Sequence, residues 1–520
     1  MEHLLALLPD YLTGHVQLTL TALAAAITIS VPLGVLATRL PRLESAVLGT
    51  AGVIQTIPSL ALLAAMVPIL ASLDLPSIGF LPAIIGLTLY GLLPILRNTV
   101  TGLREVDPAL VEAARGVGMT ERQQLLRVEL PLAMPVIVSG IRTATVWTVG
   151  VATLSTPVGA TSLGNYIFGG LQTRDFASVL LGSVAAAGLA LLLDGLVSAL
   201  ERAIRDRRRG LLWASCAVIA CLYLFSTTTL LLPLLRGGER PLVIAAKPFT
   251  EQYILADILA DQIKATTGLP TERLSSIGST VAYDALLDDS VDAYIDYSGT
   301  LWLALLKKKG SPASREQALD AIRQWIDTHT DAVFVGPLGF QNNYALAMRR
   351  SDAERMGVRT ISDLVPFAPR LTLGGDLEFF SRPEWPALQK TYDIRFAQTR
   401  PMDPSLMYQA VASGGVNVIT AYTTDGRIGA LDLVVLDDDR HAIPPYDAVI
   451  MASGRARREY PQAVESLHAL VGQISESEMR AMNFEVDERG RQPADVATEF
   501  MRGFESRHTP ETASPGTPAP

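Results

Sequence analysis

Six long apolar stretches in the first 235 residues constrain the fold more than any other feature of this sequence. A helix that crosses a membrane needs about 20 consecutive apolar residues. The second stretch contains Pro58 and Pro68, which a membrane helix tolerates where neighbours satisfy the freed backbone groups. We therefore predict an N-terminal all-α transmembrane bundle of about six helices in residues 1–235. The six stretches are Val16–Ala37, Leu48–Leu70, Ile78–Leu96, Pro131–Leu154, Ser178–Leu200 and Leu211–Leu235.

Charged residues are unevenly distributed along the 520 residues. Residues 1–235 contain 14 Arg, no Lys and 13 acidic residues, whereas residues 236–520 contain 29 basic and 39 acidic residues. This difference indicates a membrane half joined to an acidic soluble half and excludes a single soluble domain. An acidic soluble half lacks the basic face that a nucleic-acid binder needs. A hydrophobic fraction of 49% excludes disorder on a large scale.

Arginine residues in the short loops predict the orientation, because cytoplasmic loops carry the excess of basic residues. Loops rich in Arg follow the first, third and fifth stretches, while the loops 71–77 and 155–177 contain only Arg174. The Arg-rich loops are therefore predicted to be cytoplasmic, and everything after Leu235 to be extracytoplasmic. These loops contain Arg39, Arg42, Arg97, Arg104, Arg115, Arg122, Arg127, Arg202, Arg205, Arg207, Arg208 and Arg209.

Arg142 lies within the fourth apolar stretch. A charge inside a span is costly and usually faces the interior of the bundle. Two interpretations stay open. Arg142 is either a residue of the transport pathway or its gate, or a structural arginine that snorkels or is paired inside the bundle.

The sixth stretch also has two interpretations. Three arginines, Arg207–Arg209, followed by an apolar run are typical of a signal peptide, and Val218-Ile219-Ala220-Cys221 is similar to a lipoprotein cleavage box. However, only Leu211–Ala217 precedes that box, and the apolar run continues to Leu235. We therefore predict a membrane anchor that is not cleaved.

The cytoplasmic loop 97–130 is too long for a simple turn. It contains Glu112-Ala113-Ala114, then Gly118, and ends in Val128, Leu130 and Pro131. These residues and spacings resemble the EAA signature of bacterial ABC importer permeases, although Val128 stands where that family usually has Ile. We predict a short helix starting at Glu112–Arg115, a tight turn at Gly118 and a second amphipathic helix that starts at Glu121–Leu126, and the resemblance implies that this pair docks on an ATPase.

The chain contains no G-x-x-x-x-G-K-[ST] phosphate loop. ATP is therefore expected to be bound by a separate subunit. An importer pore needs two permease halves around a two-fold axis, so the resemblance also implies a homodimer through the transmembrane part.

Residues 242–505 show alternating strand and helix patterns after a linker at 236–241. Thr250 is predicted to cap a helix, and two further helices are predicted at Glu316–Asp327 and Leu406–Ala412. Alternating elements favour an α/β fold with mainly parallel sheets, and the length suits two lobes around a cleft. The Pro-, Thr- and Ser-rich tail 506–520 is expected to be disordered. The predicted strands are Leu242–Ala246, Val291–Tyr297, Ala332–Val335, Tyr344–Arg349, Leu371–Gly374, Val416–Thr420 and Leu433–Leu436.

Five ordered motifs in the soluble half resemble the substrate-binding proteins of the glycine betaine, choline and carnitine ABC importers. The resemblance covers roughly residues 242–504 and implies a two-lobed periplasmic-binding-protein fold. Fusion of a permease to such a domain is similar to a subgroup that includes ergothioneine importers. The motifs are Lys247-Pro248-Phe249-Thr250-Glu251-Gln252, Asp296-Tyr297-Ser298-Gly299-Thr300, Asn342-Asn343-Tyr344-Ala345-Leu346-Ala347-Met348, Ala421-Tyr422-Thr423-Thr424-Asp425-Gly426-Arg427, and Asp438-Asp439-Arg440 with Pro444-Pro445-Tyr446.

In that family a quaternary ammonium group lies in a cage of tyrosines. On the matching motifs, the resemblance implies Tyr297, Tyr344, Tyr422 and Tyr446. Because a trimethylammonium group cannot donate hydrogen bonds, it is held by cation–π attraction to ring faces and by apolar enclosure.

The same motifs imply that Lys247, Thr300 and Arg382 contact the anionic or polar end of the ligand, and that Asn342 also contacts the ligand. Glu378 precedes Arg382 by four residues and is predicted to orient it from one helical face. The family often continues Arg-x-Asp-Gly, whereas this chain has Arg382-Pro383-Glu384-Trp385. The departure leaves the size of the ligand open.

The sequence therefore predicts a fused ABC importer subunit of the bacterial cytoplasmic membrane, with its binding domain outside and no cofactor. Its solute is a quaternary ammonium compound of the glycine betaine, choline or carnitine type. Ergothioneine or another large trimethylammonium betaine is the alternative. A membrane-anchored receptor that does not transport its ligand would not need a loop that docks on an ATPase. An extracytoplasmic enzyme would need a Ser/His/Asp or metal-binding constellation, and the sequence shows none.

Overall fold

A computed structural model describes residues 2–73, 75–173, 175–235, 240–306 and 314–508. The described residues form two compact units, a helical one drawn mainly from residues before Pro241 and an α/β one drawn mainly from residues after it. Most of the predicted linker and of the predicted tail, 236–239 and 509–520, lies outside the described residues.

The described residues up to Leu235 contain ten α-helices. Five are long and apolar enough to cross a membrane, and a bent pair makes up to six spans. The predicted all-α bundle of about six spans is therefore confirmed. The helices are α1 Glu2–Arg39, α2 Pro41–Thr56, α3 Ser59–Ala71, α4 Phe80–Arg104, α5 Pro108–Gly116, α6 Glu121–Gln124, α7 Leu130–Ala152, α8 Gly164–Gln172, α9 Phe176–Arg205 and α10 Arg209–Leu235.

The predicted second span, Leu48–Leu70, is not one continuous helix. It consists of the end of α2 and most of α3, which meet at an angle of 102°. The break falls at Ile57 and Pro58, where Ile57 adopts extended backbone angles. A residue that precedes proline is pushed out of the helical region, which explains why the helix ends there.

The loop between α4 and α7 contains two short helices, and the start of the first differs from the prediction. The first, α5, begins at Pro108 rather than near Glu112, because Asp107 accepts a hydrogen bond from the Ala109 amide and caps it. Gly118 has a φ of 83° and makes the turn, as predicted. The second helix, α6, begins at Glu121, as predicted, where Thr120 and Gln123 form a capping box, and it continues through a π-helical turn into α7.

The α/β unit carries ten strands in two five-stranded sheets over its described residues. The strands are β1 Leu242–Ala245, β2 Thr271–Leu274, β3 Ala293–Tyr297, β4 Val333–Gln341, β5 Tyr344–Arg349, β6 Thr372–Asp376, β7 Gln398–Met402, β8 Val418–Tyr422, β9 Leu433–Leu436 and β10 Asp447–Ala452.

Fourteen α-helices accompany these strands along the described chain from Thr250 onward. They are α11 Thr250–Thr267, α12 Ser279–Leu287, α13 Ser298–Ala304, α14 Arg315–His329, α15 Arg350–Met356, α16 Ile361–Leu364, α17 Leu377–Ser381, α18 Glu384–Tyr392, α19 Pro404–Ala412, α20 Arg427–Ala430, α21 Gly454–Glu459, α22 Pro461–His468, α23 Glu476–Asp487 and α24 Pro493–His508. The predicted cap of α11 was wrong: Phe249 is its N-cap and makes no side-chain cap, while the Thr250 hydroxyl donates to Asp487 at 2.6 Å.

The two sheets are mixed, so the prediction of mainly parallel sheets was wrong. The first has the order β2-β1-β3-β10-β4, and β10 runs antiparallel to both its neighbours. The second has the order β7-β6-β8-β5-β9, with β5 antiparallel to β8 and β9. The antiparallel strands, β10 in the first sheet and β5 in the second, are each the first strand after the chain crosses from the other lobe. The predicted α/β fold with two lobes, one for each sheet, is confirmed.

The chain passes twice between the lobes, at Asn342-Asn343 between β4 and β5 and at 437–446 between β9 and β10. Two hydrogen bonds join these crossings. In the first, the Asn342 amide donates to the Tyr446 carbonyl at 2.9 Å. The Tyr446 amide donates in turn to the Asn343 side chain at 2.8 Å. The two crossings therefore form one hinge, defined here as Asn342-Asn343 together with Tyr446.

Candidate ligand-binding site

The four predicted cage tyrosines converge where the lobes meet. The Tyr344 ring centroid lies 5.0 Å from that of Tyr422 and 5.6 Å from that of Tyr446, the latter edge to face. Phe249 extends the group, at 6.5 Å from Tyr422 and 6.1 Å from Tyr297. These five rings form one continuous cluster, here called the aromatic cluster.

The positions of the tyrosines follow from the strand ends. Tyr297 and Tyr422 are the last residues of β3 and β8, and Tyr344 is the first residue of β5. Ligands of open α/β sheets bind beyond the carboxyl ends of strands, which is where two of these rings lie. Gly299 makes room for the fourth ring, since a Cβ there would lie 2.6 Å from a ring carbon of Tyr446.

A buried carboxylate, Glu251, anchors the Tyr297 hydroxyl. Tyr297 donates to Glu251 at 2.5 Å, and Gln252 donates to the same phenol oxygen at 3.0 Å. Asn342 Nδ2 donates to Glu251 at 3.0 Å. Burial raises the pKa of Glu251, and burial followed by the neighbouring Glu251 carboxylate raises the pKa of Tyr297 well above its ordinary value.

Lys247 already has an anionic partner in this structure. Its buried ammonium group is paired with Asp296, and Tyr294 donates to the other oxygen of Asp296 at 2.6 Å. Lys247 Nζ also lies 5.5 Å from the centroid of Tyr297. Thr300 is partly exposed in the first turn of α13. Contact of Lys247 or Thr300 with a ligand stays a prediction.

Arg382 reaches the aromatic cluster from the lobe of the second sheet, which also carries Tyr344 and Tyr422. Its guanidinium carbon lies 5.7 Å from the Tyr344 centroid and 5.9 Å from that of Tyr446, and it donates to the Tyr446 hydroxyl at 3.1 Å. Its Nε donates to Glu384 at 3.0 Å. Tyr446 also donates to this oxygen of Glu384.

The predicted orientation of Arg382 from the face of a helix was wrong. Arg382 lies in extended backbone immediately after α17, so it shares no helical face with Glu378. The side chain of Glu378 lies outside the described residues. Glu384 takes the orienting position instead. The other carboxylate oxygen of Glu384 is buried and has no hydrogen-bond partner among the residues described here.

Sequence reasoning did not assign Phe249, Glu251 or Glu384 to the site. Phe249 and Glu251 stand inside a motif that pointed to the site, so the signal was available. Glu384 was noticed only because the sequence after Arg382 departs from the family's Arg-x-Asp-Gly pattern. Nothing in the sequence showed that Tyr422 would donate to Asp376 at 3.3 Å, because these residues are 46 positions apart.

The predicted ATPase-coupling residues lie on and beside α5. Glu112 and Ala113 are exposed, Ala114 is buried, Gly118 is exposed at the turn, and Pro131 stands in the first turn of α7. Three apolar side chains close to them in sequence are also exposed, Leu110 at 48%, Val117 at 75% and Leu126 at 52%. Docking of an ATPase on this loop stays a prediction.

Arg142 on α7 is paired within the helical unit. Its Nε and one terminal nitrogen donate to the two carboxylate oxygens of Asp194 on α9, at 2.6 and 2.8 Å. Glu201 lies 3.8 Å away. This bidentate pair agrees with the interpretation of Arg142 as a structural arginine that is paired inside the bundle. A role of Arg142 in gating stays a prediction.

These features define a class of protein: a helical bundle with candidate membrane spans and a two-helix loop between α4 and α7, joined to a two-lobed α/β domain with an aromatic cluster. Two family models match the chain. Residues 30–206 match the binding-protein-dependent transport system inner membrane component, and residues 240–503 match the substrate-binding domain of ABC-type glycine betaine transport systems. The chain therefore belongs to the ABC importer subunits in which that permease is fused to that substrate-binding domain.

Individual relatives agree with this assignment. The ergothioneine transport permease/ergothioneine binding protein EgtU of Helicobacter pylori (strain G27) is 33% identical over 86% of this chain and 81% of its own length. The carnitine transport binding protein OpuCC of Listeria monocytogenes serotype 1/2a is 32% identical over 52% of this chain and 89% of its own. The permease OpuCB of Bacillus subtilis (strain 168), of a glycine betaine/carnitine/choline system, is 42% identical over 38% of this chain and 88% of its own.

Among solved structures, a glycine betaine/carnitine/choline ABC transporter protein is 32% identical. It covers 51% of this chain and 98% of its own, with a TM-score of 0.46. By its family and its fused relative, the chain is a multi-pass protein of the inner membrane with its binding domain on the extracytoplasmic side. As a permease of this family, it works in an ABC transporter assembly with an ATPase and a small solute.

Proposed function

We propose that this chain imports a trimethylammonium solute that is captured by the aromatic cluster. The observation that carries the proposal is the convergence of three rings, with the centroids of Tyr422 and Tyr446 at 5.0 and 5.6 Å from that of Tyr344. Ring faces attract a cation that cannot donate hydrogen bonds, and desolvated contacts of this kind contribute about 2 kcal/mol or more. The names of the relatives support the same ligand class, since ergothioneine, carnitine, glycine betaine and choline all carry a trimethylammonium group.

The polar end of the site favours one candidate solute among these. Arg382 offers a guanidinium to an anionic group, while Glu384 offers a buried carboxylate oxygen that has no partner in the described structure. A buried acceptor without a donor costs about 1–3 kcal/mol, so a ligand that supplies an N–H donor gains by filling it. Ergothioneine, the solute in the name of the Helicobacter relative, has a trimethylammonium group, a carboxylate and ring N–H groups. Glycine betaine has no such donor.

Calorimetry on the full chain in detergent tests both levels of the proposal. Glycine betaine, choline, carnitine and ergothioneine are titrated into the wild type and into Glu384→Gln. Binding of none of the four contradicts the trimethylammonium class. For the ergothioneine candidate, we expect it to bind tightest and to lose about tenfold in Glu384→Gln while glycine betaine changes little. An equal change for both solutes contradicts that candidate.

We further propose that ATP is hydrolysed by a separate subunit and that two copies of this chain form the pore. The absence of a phosphate-binding loop from the sequence and the exposed apolar surface around α5 support the first part. The second rests on the need for two permease halves around one axis. Native mass measurement of the complete transporter tests it, with two copies of this chain expected for two ATPases. One copy per two ATPases contradicts the homodimer.

A further inference from the structure

Glu251 lies in the first turn of α11 and is buried, and its carboxylate accepts four hydrogen bonds from four different segments. The donors are Tyr297 at the end of β3, Asn342 in the hinge, Asn483 on α23 at 3.2 Å, and the Thr424 hydroxyl after β8. The four segments come from both lobes and the hinge. A single carboxylate therefore joins the aromatic cluster to the hinge.

All four donors are neutral. Within the described residues, no Lys, Arg or His lies within 4.0 Å of the Glu251 carboxylate. Lys247, which lies 5.5 Å from the Tyr297 centroid, is paired with Asp296 instead. A buried carboxylate without a cation is costly, and burial raises its pKa accordingly. Glu251 is thus a buried acid without a counter-ion, and it is hydrogen-bonded to Tyr297 of the aromatic cluster, where we propose that a cationic solute binds.

The hydrogen bonds at the Tyr297 hydroxyl direct its proton toward that acid. The phenol oxygen accepts a bond from Gln252 at 3.0 Å, which leaves the hydroxyl proton for Glu251 at 2.5 Å. A phenol that donates to a carboxylate gains electron density on its ring, because hydrogen bonds in a low-dielectric interior polarise one another. A ring with more electron density attracts a cation more strongly.

We propose that Glu251 is a positioning residue that strengthens the attraction of Tyr297 for the cationic end of the solute, acting through the Tyr297 hydroxyl. The bound trimethylammonium group is then the counter-ion that this acid lacks in the protein. The inference rests on the proposed function, since it requires a cationic ligand in the aromatic cluster. It predicts that loss of the Glu251 carboxylate weakens binding of a cationic ligand more than binding of a neutral ligand of the same shape. A purely structural role of Glu251 would weaken both ligands equally.

The test compares choline with 3,3-dimethylbutan-1-ol, which replaces its N⁺ by carbon at nearly the same shape. Both are measured by competition against a bound reporter solute on the full chain in detergent. In Glu251→Gln we expect choline to weaken about tenfold more than the neutral isostere does. Gln has one acceptor oxygen for four donors, so some loss common to both ligands is expected, and the ratio between them is the readout.

Tyr297→Phe keeps the experiment decisive if Glu251→Gln fails to fold. This variant keeps the ring and removes the hydroxyl that links it to Glu251, so the ratio of choline to isostere affinity should fall there too. The double variant should lose no more of the ratio than Tyr297→Phe alone, because both act through one hydrogen bond. Glu485→Gln, a change of the same kind on α23, is the matched control and should leave the ratio unchanged.

The outcomes separate this inference from the proposed function. A wild-type chain that binds no quaternary ammonium solute overturns both. A wild-type chain that binds choline, together with variants that weaken choline and the isostere equally, overturns only the role of Glu251. A double variant whose losses add fully shows that Glu251 does not act through Tyr297, and this also overturns the proposal.

Discussion

Arg382 donates from Nε to Glu384 Oε1 at 3.0 Å, so the arginine expected to grip an anionic ligand already holds a carboxylate from its own chain. The pair is nearly buried, with side-chain exposures of 15% and 1%. One terminal nitrogen of Arg382 also donates to Tyr446. The position of the guanidinium is therefore set by Glu384 and two aromatic rings.

Arg382→Ala should weaken carboxylate-bearing betaines far more than choline, which offers only a hydroxyl. We expect a loss of a few kcal/mol for glycine betaine, because a charge-assisted contact is removed. Calorimetry with both ligands measures it. The same variant leaves Glu384 buried without its cation, so Arg382→Ala/Glu384→Gln is the control that relieves this cost. Equal losses for betaine and choline in the double variant would show that Arg382 does not contact the carboxylate.

Gly299→Ala should displace the Tyr446 ring and weaken binding of every trimethylammonium solute. A Cβ at this position would lie 2.6 Å from a ring carbon, and overpacking of this kind costs about 1–3 kcal/mol. Titration calorimetry and the thermal midpoint measure both effects. Gly503→Ala on α24, where a Cβ meets nothing within 4 Å, is the control and should bind normally. Unchanged affinity in Gly299→Ala would remove Tyr446 from the binding site.

Gly118→Ala should abolish ATP-driven uptake and leave solute binding intact. The φ of 83° at Gly118 costs a residue with a side chain about 1–2 kcal/mol and shifts the turn between α5 and α6. Gly116→Ala is a close control, since it also meets open space but has no positive φ. Glu112→Ala should resemble Gly118→Ala. Uptake assays in proteoliposomes with the ATPase, beside binding assays, separate the two functions. Normal uptake in both variants contradicts the coupling role.

Stability of the binding domain should fall as the pH rises from about 4 to about 7 because of Asp487. Burial, followed by the neighbouring Asp425 carboxylate, raises the pKa of Asp487 to about 7. The folded state therefore keeps a proton that the unfolded state releases above about pH 4, so the stabilising contribution is present below pH 4 and lost above pH 7. Arg427 opposes this shift only in part.

Thermal midpoints of the full chain between pH 4 and 8 measure this dependence. Asp487→Asn should flatten the decline, since an amide does not titrate. Asp393→Asn, at an exposed carboxyl, should retain the wild-type slope. An unchanged slope in Asp487→Asn would assign the pH dependence to other groups.

Several features were determined by sequence alone. The length of the apolar stretches predicted the membrane helices, because about 20 apolar residues in a row have few other stable environments. Tyr297, Tyr344, Tyr422 and Tyr446 were selected by short motifs, and the structure brings them together although composition could not distinguish them from other tyrosines.

Only the tertiary structure decided the rest, because it depends on contacts between residues far apart in the chain. The pairing of β10 between β3 and β4 makes the first sheet mixed, and no local pattern specifies a strand partner. Three strands were not predicted: the edge strands β2 and β7, which lack a buried stripe, and the fully buried β10. Glu251 receives donors from positions as distant as Asn483. Local sequence therefore determined most of the helices and strands and which aromatic residues belong to the motifs. Tertiary packing decided which carboxylates contact those aromatic residues.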